Sequence, residues 1–357
     1  MATSPPPGRP ALNVPLLRRL RAAAGGHVPL AELGRDRARV AEDLEALGRF
    51  GFQIEDHPYL GVAYRGPSPR LCPDQIEHEL PARRIGRRIA VWNRVTSTND
   101  VAARAADSPA NDGLVVLAEE QTAGRGQRGR SWTAPAGSSI LMSALLFPPP
   151  RLTSGPDGSG GPAGNAWLTA LAAVATAELV AACTGRPARI KWPNDVRVDG
   201  RKVAGILVER ALPPAGPGGG PSPARPGGVV IGVGLNVSLP AGALPEELRP
   251  RVASLDELGA GPDPDRSELA RELILGLDRW YDAVSSAGPA GLAAAWSALS
   301  EHLGRAVRVS TPDGDVAGRL LGLSLERGLL LEHAGPAGES AVRPVPLACV
   351  LGLSDPA

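Results

Sequence analysis

The stretch Ala123–Trp132, AGRGQRGRSW, satisfies G-x-G-x-x-G through Gly124, Gly126 and Gly129. From Gly124 to Ser131 it also falls one residue short of G-x-x-x-x-G-K-[ST], with Arg130 in place of the lysine. A dinucleotide fingerprint requires a helix directly after its third glycine, so that helical N–H groups meet the pyrophosphate. Here SWTAPAGSS follows, and Pro135 and Gly137 work against a helix. The P-loop reading fails for the same reason and for want of its lysine. A protein kinase would also need V-A-I-K, H-R-D and D-F-G segments, which the chain lacks. The physical content survives: three glycines leave backbone N–H groups open to close approach, and Arg125, Arg128 and Arg130 put fixed positive charge on a loop without an acid. Such a loop suits an anion, although alone it also reads as a mobile basic surface loop.

The 357 residues exceed one typical domain, so two or three are expected. With 38 basic and 37 acidic residues the net charge is +1, which excludes a surface built throughout for nucleic acid. Cys72, Cys183, Cys349 and the five histidines are scattered, so no disulfide framework or metal site is expected. The N-terminal MATSPPPGRP lacks the apolar run of a secretory signal; residues 1–11 read as a disordered tail, and a cytoplasmic location follows. Ala166–Cys183 is as long as a minimal membrane span, but it is alanine-rich, contains Glu178 and is followed by Gly185. A buried helix of a soluble protein is the expectation, with no membrane partner.

A shortage is more informative. Only two of the basic residues are lysine, Lys191 and Lys202, as coding bias toward arginine would produce. A lysine that persists against such bias marks a place where a compact ammonium is needed and a planar guanidinium does not serve. The scarce amides Asn99, Gln121, Gln127, Asn194 and Asn236 fall in the same short motifs, although polar turns collect asparagine too.

Outward from the glycine stretch, apolar spacing predicts helices in LLRRLRAA, PLAEL and RARVAEDLEALGRFG, then a hairpin in FQIEDHPYLGVAY, the outline of a winged helix-turn-helix over 12–68. RGPSPRLCPD reads as a linker. From about residue 84, strands (RRIAVWNRV, GLVVLAEE, SSILMSALLF, VVIGVGLNV) mix with helices, STNDVAARAAD among them. Asp199-Gly200 turns a hairpin within DVRVDGRKVAGILVER. Two Pro/Gly-rich tracts read as loops, and beyond Arg305 only short strands are expected.

STN (Ser97–Asn99), EEQTAGRGQRGRSW (Glu119–Trp132), KWPND (Lys191–Asp195), RKVAGILVE (Arg201–Glu209) and IGVGLNV (Ile231–Val237) occur in this order. The set resembles the biotin protein ligase family, and the likeness covers nearly the whole chain. The helical front unit and the β-only tail resemble the outer domains of bacterial members that double as repressors. The resemblance implies an α+β protein. Its parts would be a small winged-helix-like N-terminal domain (12–68), a mixed α/β catalytic domain of the biotin/lipoate ligase type (84–302) and a C-terminal SH3-like β-barrel (303–357).

It also implies a two-step reaction. Biotin and Mg-ATP give biotinyl-5′-adenylate and pyrophosphate, and a lysine of a biotin carboxyl carrier protein then takes the biotin. Ser97, Thr98, Asn99 and Gln121 would line the biotin pocket, although Ser97–Asn99 also reads as a plain helix N-cap. Arg125, Gly126 and Gln127 would fold over biotin and the adenylate, with Arg125 and Lys191 catalytic and Lys191 bridging the biotin carboxylate and the α-phosphate. Gly124, Arg128, Arg130, Trp132, Asn194 and Asn236 would contact ATP or the adenylate. Metal enters only as the magnesium of ATP.

Two departures stand out. The family commonly carries G-R-G-R-R-G-R, where Gln127 here replaces the second arginine. The would-be recognition helix carries Glu42, Asp43 and Glu45, and basic and acidic residues nearly balance over 12–65, which weighs against operator DNA binding. A homodimer is left open. Rival readings are a lipoate protein ligase and a biotin-responsive DNA-binding regulator with little ligase activity.

Overall fold

The computed structural model describes residues 11–355 apart from 35, 150–165, 212–227, 241, 262, 325 and 335–339. The expected N-terminal tail up to residue 10 and nearly all of the two Pro/Gly-rich tracts lie outside the described residues.

The centre is a seven-stranded sheet in the order β3-β4-β5-β9-β8-β7-β6. β3 (Arg88–Val95) and β4 (Leu114–Gln121) are parallel, with α5 (Thr98–Arg104) between them in sequence. β5 (Ser139–Leu146), β6 (Ala188–Lys191), β7 (Asp195–Val198), β8 (Arg201–Ala211) and β9 (Gly228–Asn236) complete it with antiparallel pairings. Period-2 alternation gives the sheet two different faces. Ile140, Met142, Ala144, Ile206, Ile231 and Leu235 point into a core covered by α6 (Ala166–Thr184), α7 (Arg266–Ala287) and α8 (Ala290–Leu299). Alanines along α6 let it lie close to the sheet; this helix is long and apolar enough to cross a membrane, but two thirds of its apolar window is buried inside the protein. On the opposite face, α5 seals one end over Ala102, Val116, Leu145 and Val230. The other end, floored by Gly205, Gly232 and Gly234, stays open as a cleft. Asp199 (φ 50°) and Gly200 (φ 76°) turn the β7–β8 hairpin in the left-handed region that a two-residue turn requires.

In the front unit α1 (Val14–Ala22), α2 (Leu30–Leu33) and α3 (Arg37–Phe50) pack with the hairpin of β1 (Gln53–His57) and β2 (Gly61–Gly66) around Leu16, Leu17, Leu20, Leu47 and Phe52. Asp36 caps α3 by accepting from the Ala38 and Arg39 N–H groups, and Gly51 ends it at φ 114°. Asp43 does not face outward with Glu42 and Glu45. It is 8 % exposed and accepts from Asn13 Nδ2 at 2.7 Å, tying α3 to the start of α1. The acidic face read from the sequence is therefore smaller than expected, and Glu42 and Glu45 are paired with Arg39 and Arg49.

The tract expected to be a linker is instead a packed strap. Ser68, Leu71 and Cys72 are buried, and a short helix α4 (Pro73–Glu77) follows. Turn-forming prolines and serine masked the apolar positions Leu71 and Ile76, which join the central core, and Cys72, which joins the core of the front unit while its N–H donates to Ser267 Oγ of α7. Arg266, at the start of α7, bonds to Pro69 O and to Glu119 Oε2 (2.6 Å), while Glu119 Oε1 accepts from Leu71 N at 2.5 Å. The side chains of Arg266 and Glu119 are 6 % and 15 % exposed. Arg266→Ala leaves that carboxylate buried and unpaired, so urea unfolding should show a loss of about 3–5 kcal/mol; a loss below 1 kcal/mol would mean that the strap is not anchored there.

The tail forms a five-stranded antiparallel sheet, β13-β12-β11-β10-β14, from β10 (Ala306–Thr311), β11 (Gly314–Ser324), β12 (Gly328–Ala334), β13 (Ser340–Val345) and β14 (Gly352–Ser354). Its buried residues Val307, Leu320, Leu329 and Leu331 continue the central core, and Ser297 Oγ of α8 accepts from Leu323 N at 2.9 Å.

Candidate active-site cleft

The open end of the sheet is a cleft of about 630 Å³. One wall starts at the N-terminus of α5. Ser97 holds the N-cap position without a side-chain capping bond, so the plain-cap reading explains its place but not its hydroxyl. Gln121, at the end of β4, accepts at Oε1 from Thr98 N (2.8 Å) and Thr98 Oγ1 (3.0 Å). Ser143 Oγ lies 2.7 Å from Thr98 Oγ1 and 2.6 Å from Asn99 Oδ1, and Asn99 Nδ2 donates to Glu209 Oε2 at 2.7 Å. Gly232 makes room for Asn99: a Cβ there would stand 2.4 Å from Asn99 Oδ1. These amides and hydroxyls are held by one another, which fixes their orientation before any ligand arrives.

The glycine loop closes on itself. Trp132 N donates to Gly124 O (2.9 Å), Gly126 N to Arg130 O (2.6 Å), and Arg125 and Ser131 form a bridge. A Cβ on Gly124 would meet Trp132 O at 2.4 Å, and Gly129 takes φ 72° beyond Arg128, itself at φ 60°. The glycines thus serve the turn more than the open N–H array expected from the sequence; Gly126 N–H is already bonded. Nor are the three arginines equivalent. Arg125 Nη2 sits 2.8 Å from Asp100 and 2.9 Å from Glu209, whereas Arg128 and Arg130 are exposed with no ion pair among the described residues. The hydrogen bond from Arg125 holds the Asp100 carboxyl below the ordinary carboxylate range, and the two acids push the guanidinium higher still. Because the folded Asp100 value is depressed, the pair contributes fully above the ordinary carboxylate range and is lost only as pH falls through the lowered value.

Trp132 lies on the glycine floor, where a Cβ on Gly234 or Gly205 would come within 2.5 Å and 3.0 Å of the ring. Lys202 Nζ is 5.5 Å from the ring centroid and 2.6 Å from Asp195 Oδ1. Lys191, half-buried at the end of β6, lines the same space and has no ion pair among the described residues. Asn194 and Asn236 reach the cleft but use their amide N–H groups on backbone, Ile206 O (2.8 Å) and Ala253 O (3.1 Å). The cleft therefore gathers every biotin- or ATP-contacting residue implied by the resemblance except Gly124 and Arg128; these two, with Gly129, shape the loop turn instead. Sequence reasoning missed Asp100, Ser143, Glu209 and Arg197. Asp100 and Glu209 end or adjoin quoted motifs, a signal that could have found them; nothing in SSILMSALLF marks Ser143. Among the described residues no group of three His, Cys, Asp or Glu side chains could hold a metal ion.

Residues 91–215 match the Biotin/lipoate A/B protein ligase family. Over 279 residues the chain is 38% identical to a biotin--[acetyl-CoA-carboxylase] ligase from Mycobacterium tuberculosis, covering 74% of this chain and 93% of that protein. The chain belongs to the biotin protein ligase family. A second family relative, the bifunctional ligase/repressor BirA of Bacillus spizizenii, is 30% identical over 84% of this chain and 86% of its own length. The solved biotin protein ligase of Aquifex aeolicus in complex with biotin and ATP shares the fold. It aligns with a TM-score of 0.58 at 23% identity, covering 76% of this chain and all of that one. The family match spans β3 to the end of β8, from the strand before Ser97–Asn99 through Glu209, and so contains most of the cleft wall and the glycine loop.

Proposed function

We propose that the chain is an ATP-dependent biotin protein ligase that makes biotinyl-5′-adenylate in this cleft and passes the biotin to a lysine of a biotin carboxyl carrier protein. The observation that carries the reading is the ammonium of Lys191, without an ion pair among the described residues and set beside the self-bonded amide wall and the glycine floor. Forming the adenylate brings a carboxylate against a phosphate, and a compact cation between them offsets that repulsion. The wall of Ser97, Thr98, Asn99 and Gln121 suits a neutral ring that both donates and accepts, and Trp132 offers a flat apolar surface for adenine. Magnesium enters with ATP, on its phosphates. Arg125, Gly126 and Gln127 would close over the bound acyl-adenylate and exclude water, which requires Arg125 to exchange its acids for ligand. The test is transfer: purified chain, biotin, Mg-ATP and a carrier protein should give a streptavidin-reactive carrier, and no label on the carrier overturns the reading.

Gln127 leaves one charge fewer over the adenylate than the family's common loop carries. Gln127→Arg is expected to slow dissociation of biotinyl-adenylate by about tenfold, the effect of one charge-assisted hydrogen bond; equal rates in a filter assay would remove Gln127 from that role.

The three helices and hairpin of the front unit support a winged-helix reading, and the five-stranded tail an SH3-like one. With Asp43 turned inward and the remaining acids of α3 paired to arginines, a repressor role in the manner of the bifunctional relatives stays open, and a gel shift with the upstream region of biotin-synthesis genes decides it. The burial of most of α6 inside the protein supports a soluble enzyme, and the cytoplasmic placement rests on the polar, proline-rich N-terminal MATSPPPGRP. A homodimer would be read from sedimentation with and without biotin.

A further inference from the structure

Arg197 belongs to none of the motifs, yet its side chain lines the cleft together with Lys191 and Lys202. The sheet register makes its position unusual. Its direct partners across β6 and β8 are Arg189 and Lys202, so three cations stand opposite one another on adjacent strands. Like charges in that relation destabilise a sheet. Two of the three have relief: Arg189 donates to Ala298 O at 2.9 Å, and Lys202 is paired with Asp195 at 2.6 Å. Arg197 has much less. Its nearest acid is Glu301 at 3.9 Å, beyond hydrogen-bond distance, and its Nε is buried with no hydrogen-bond partner among the described residues. A guanidinium offers five N–H groups in a fixed fork, and here that capacity is largely unused at the rim of an anion-binding cleft.

The Glu301 main chain is held in place, and its carboxylate also lies 3.7 Å from His302 Nε2. The Glu301 N–H is bonded to Ile190 O at 3.0 Å, which fixes the segment between α8 and β10 along the edge of β6, and Ser300 bridges Ile190 beside it. An oxygen-rich anion entering the cleft would meet the unused donors of Arg197. Lys191 pairs with Asp195 across the hairpin, and Arg197 lies two residues further along β7, about 7 Å of strand. An ATP whose α-phosphate meets Lys191 can thus present its outer phosphates to Arg197.

We propose that Arg197 binds the β- and γ-phosphates of ATP and holds the pyrophosphate leaving group, exchanging its long pair with Glu301 for phosphate oxygens. This rests on the ligase reading above. In the step concerned, a biotin carboxylate oxygen bonds to the α-phosphorus, and the bond from that phosphorus to the oxygen bridging to the β-phosphate breaks. Pyrophosphate leaves with the electron pair. Arg197 keeps its proton throughout and supplies charge only.

The experiment compares wild type, Arg197→Gln and Arg197→Lys in biotin-dependent exchange of labelled pyrophosphate into ATP, with the melting temperature of each. Arg197→Gln should raise the KM for ATP and the inhibition constant of pyrophosphate together, each by about tenfold. The KM for biotin and transfer from supplied biotinyl-adenylate should hold near wild type, and Arg197→Lys should recover part of the loss. If Arg197→Gln lowers the melting temperature while the ATP and pyrophosphate constants stay put, Arg197 is only a tie to Glu301 and the proposal fails. It fails as well if the biotin constant moves as much as the ATP constant. A wild-type protein with no biotin-dependent exchange would instead overturn the ligase reading itself, a result distinct from either.

Discussion

Lys191→Ala is expected to lower biotin-dependent pyrophosphate exchange by about 10²- to 10³-fold, the range seen when a positioned electrostatic stabiliser is removed. β6 ends at Lys191, and its Ile190 neighbour is locked into the core on one side of the strand and to Glu301 N–H on its edge, so the ammonium projects from a fixed base. It makes no ion pair among the described residues, unlike Lys202 and Arg125, whose charges are already shared with Asp195, Asp100 and Glu209. That difference is why the largest loss is assigned to Lys191 and not to the arginines of the loop. Lys191→Arg should restore little, since the broader fork does not fit a point-charge task between two anions. Transfer from supplied biotinyl-adenylate should suffer less than adenylate formation. Retained exchange in Lys191→Ala would remove the main residue assignment.

Gly232→Ala should raise the KM for biotin by about 10²-fold, as misplacement by about 1 Å does at a preorganised site. The added Cβ would lie 2.4 Å from Asn99 Oδ1 and 3.1 Å from its Cγ and Nδ2. Asn99 cannot swing aside cheaply, being 5 % exposed and gripped by Ser143 at 2.6 Å and Glu209 at 2.7 Å. The first turn of α5 must shift, taking Thr98 and its bonds to Gln121 with it. Overpacking also costs about 1–3 kcal/mol of stability, which the melting curve reports separately. A folded variant with unchanged biotin KM would show that this wall does not contact biotin. Gly129→Ala is the control: nothing lies within 4 Å of its added Cβ, and only the φ of 72° opposes it.

Much of the fold was legible because its cues are local. Alternation marked the central strands, Asp199-Gly200 marked the hairpin, and Pro135 with Gly137 excluded the helix that a dinucleotide site would need; the chain from Arg130 to β5 is indeed not helical and turns at Pro135–Ser138. The scarcity of lysine pointed to Lys191 and Lys202, and both line the cleft. What the sequence hid is what depends on distant partners. Asp43 looks like any exposed helical acid until Asn13, 30 residues earlier, is seen to donate to it. The strap over 67–77 carries the residues of a linker, and only α7, with Arg266 and Ser267, shows why it is buried. Arg125 reads as a free cation because Asp100 and Glu209 are 25 and 84 residues away in the chain, and meet it only when β4, β8 and α5 assemble. Arg197 was invisible for the same reason, since its unbalanced position is a property of strand register.

Activation of biotin with ATP in this cleft is the chemistry proposed for the protein. It is tested most directly by exchange of labelled pyrophosphate into ATP by the purified chain, run with biotin, with lipoate and with neither acid. Exchange with biotin alone is the expected result; exchange with lipoate alone, or with neither, would contradict it.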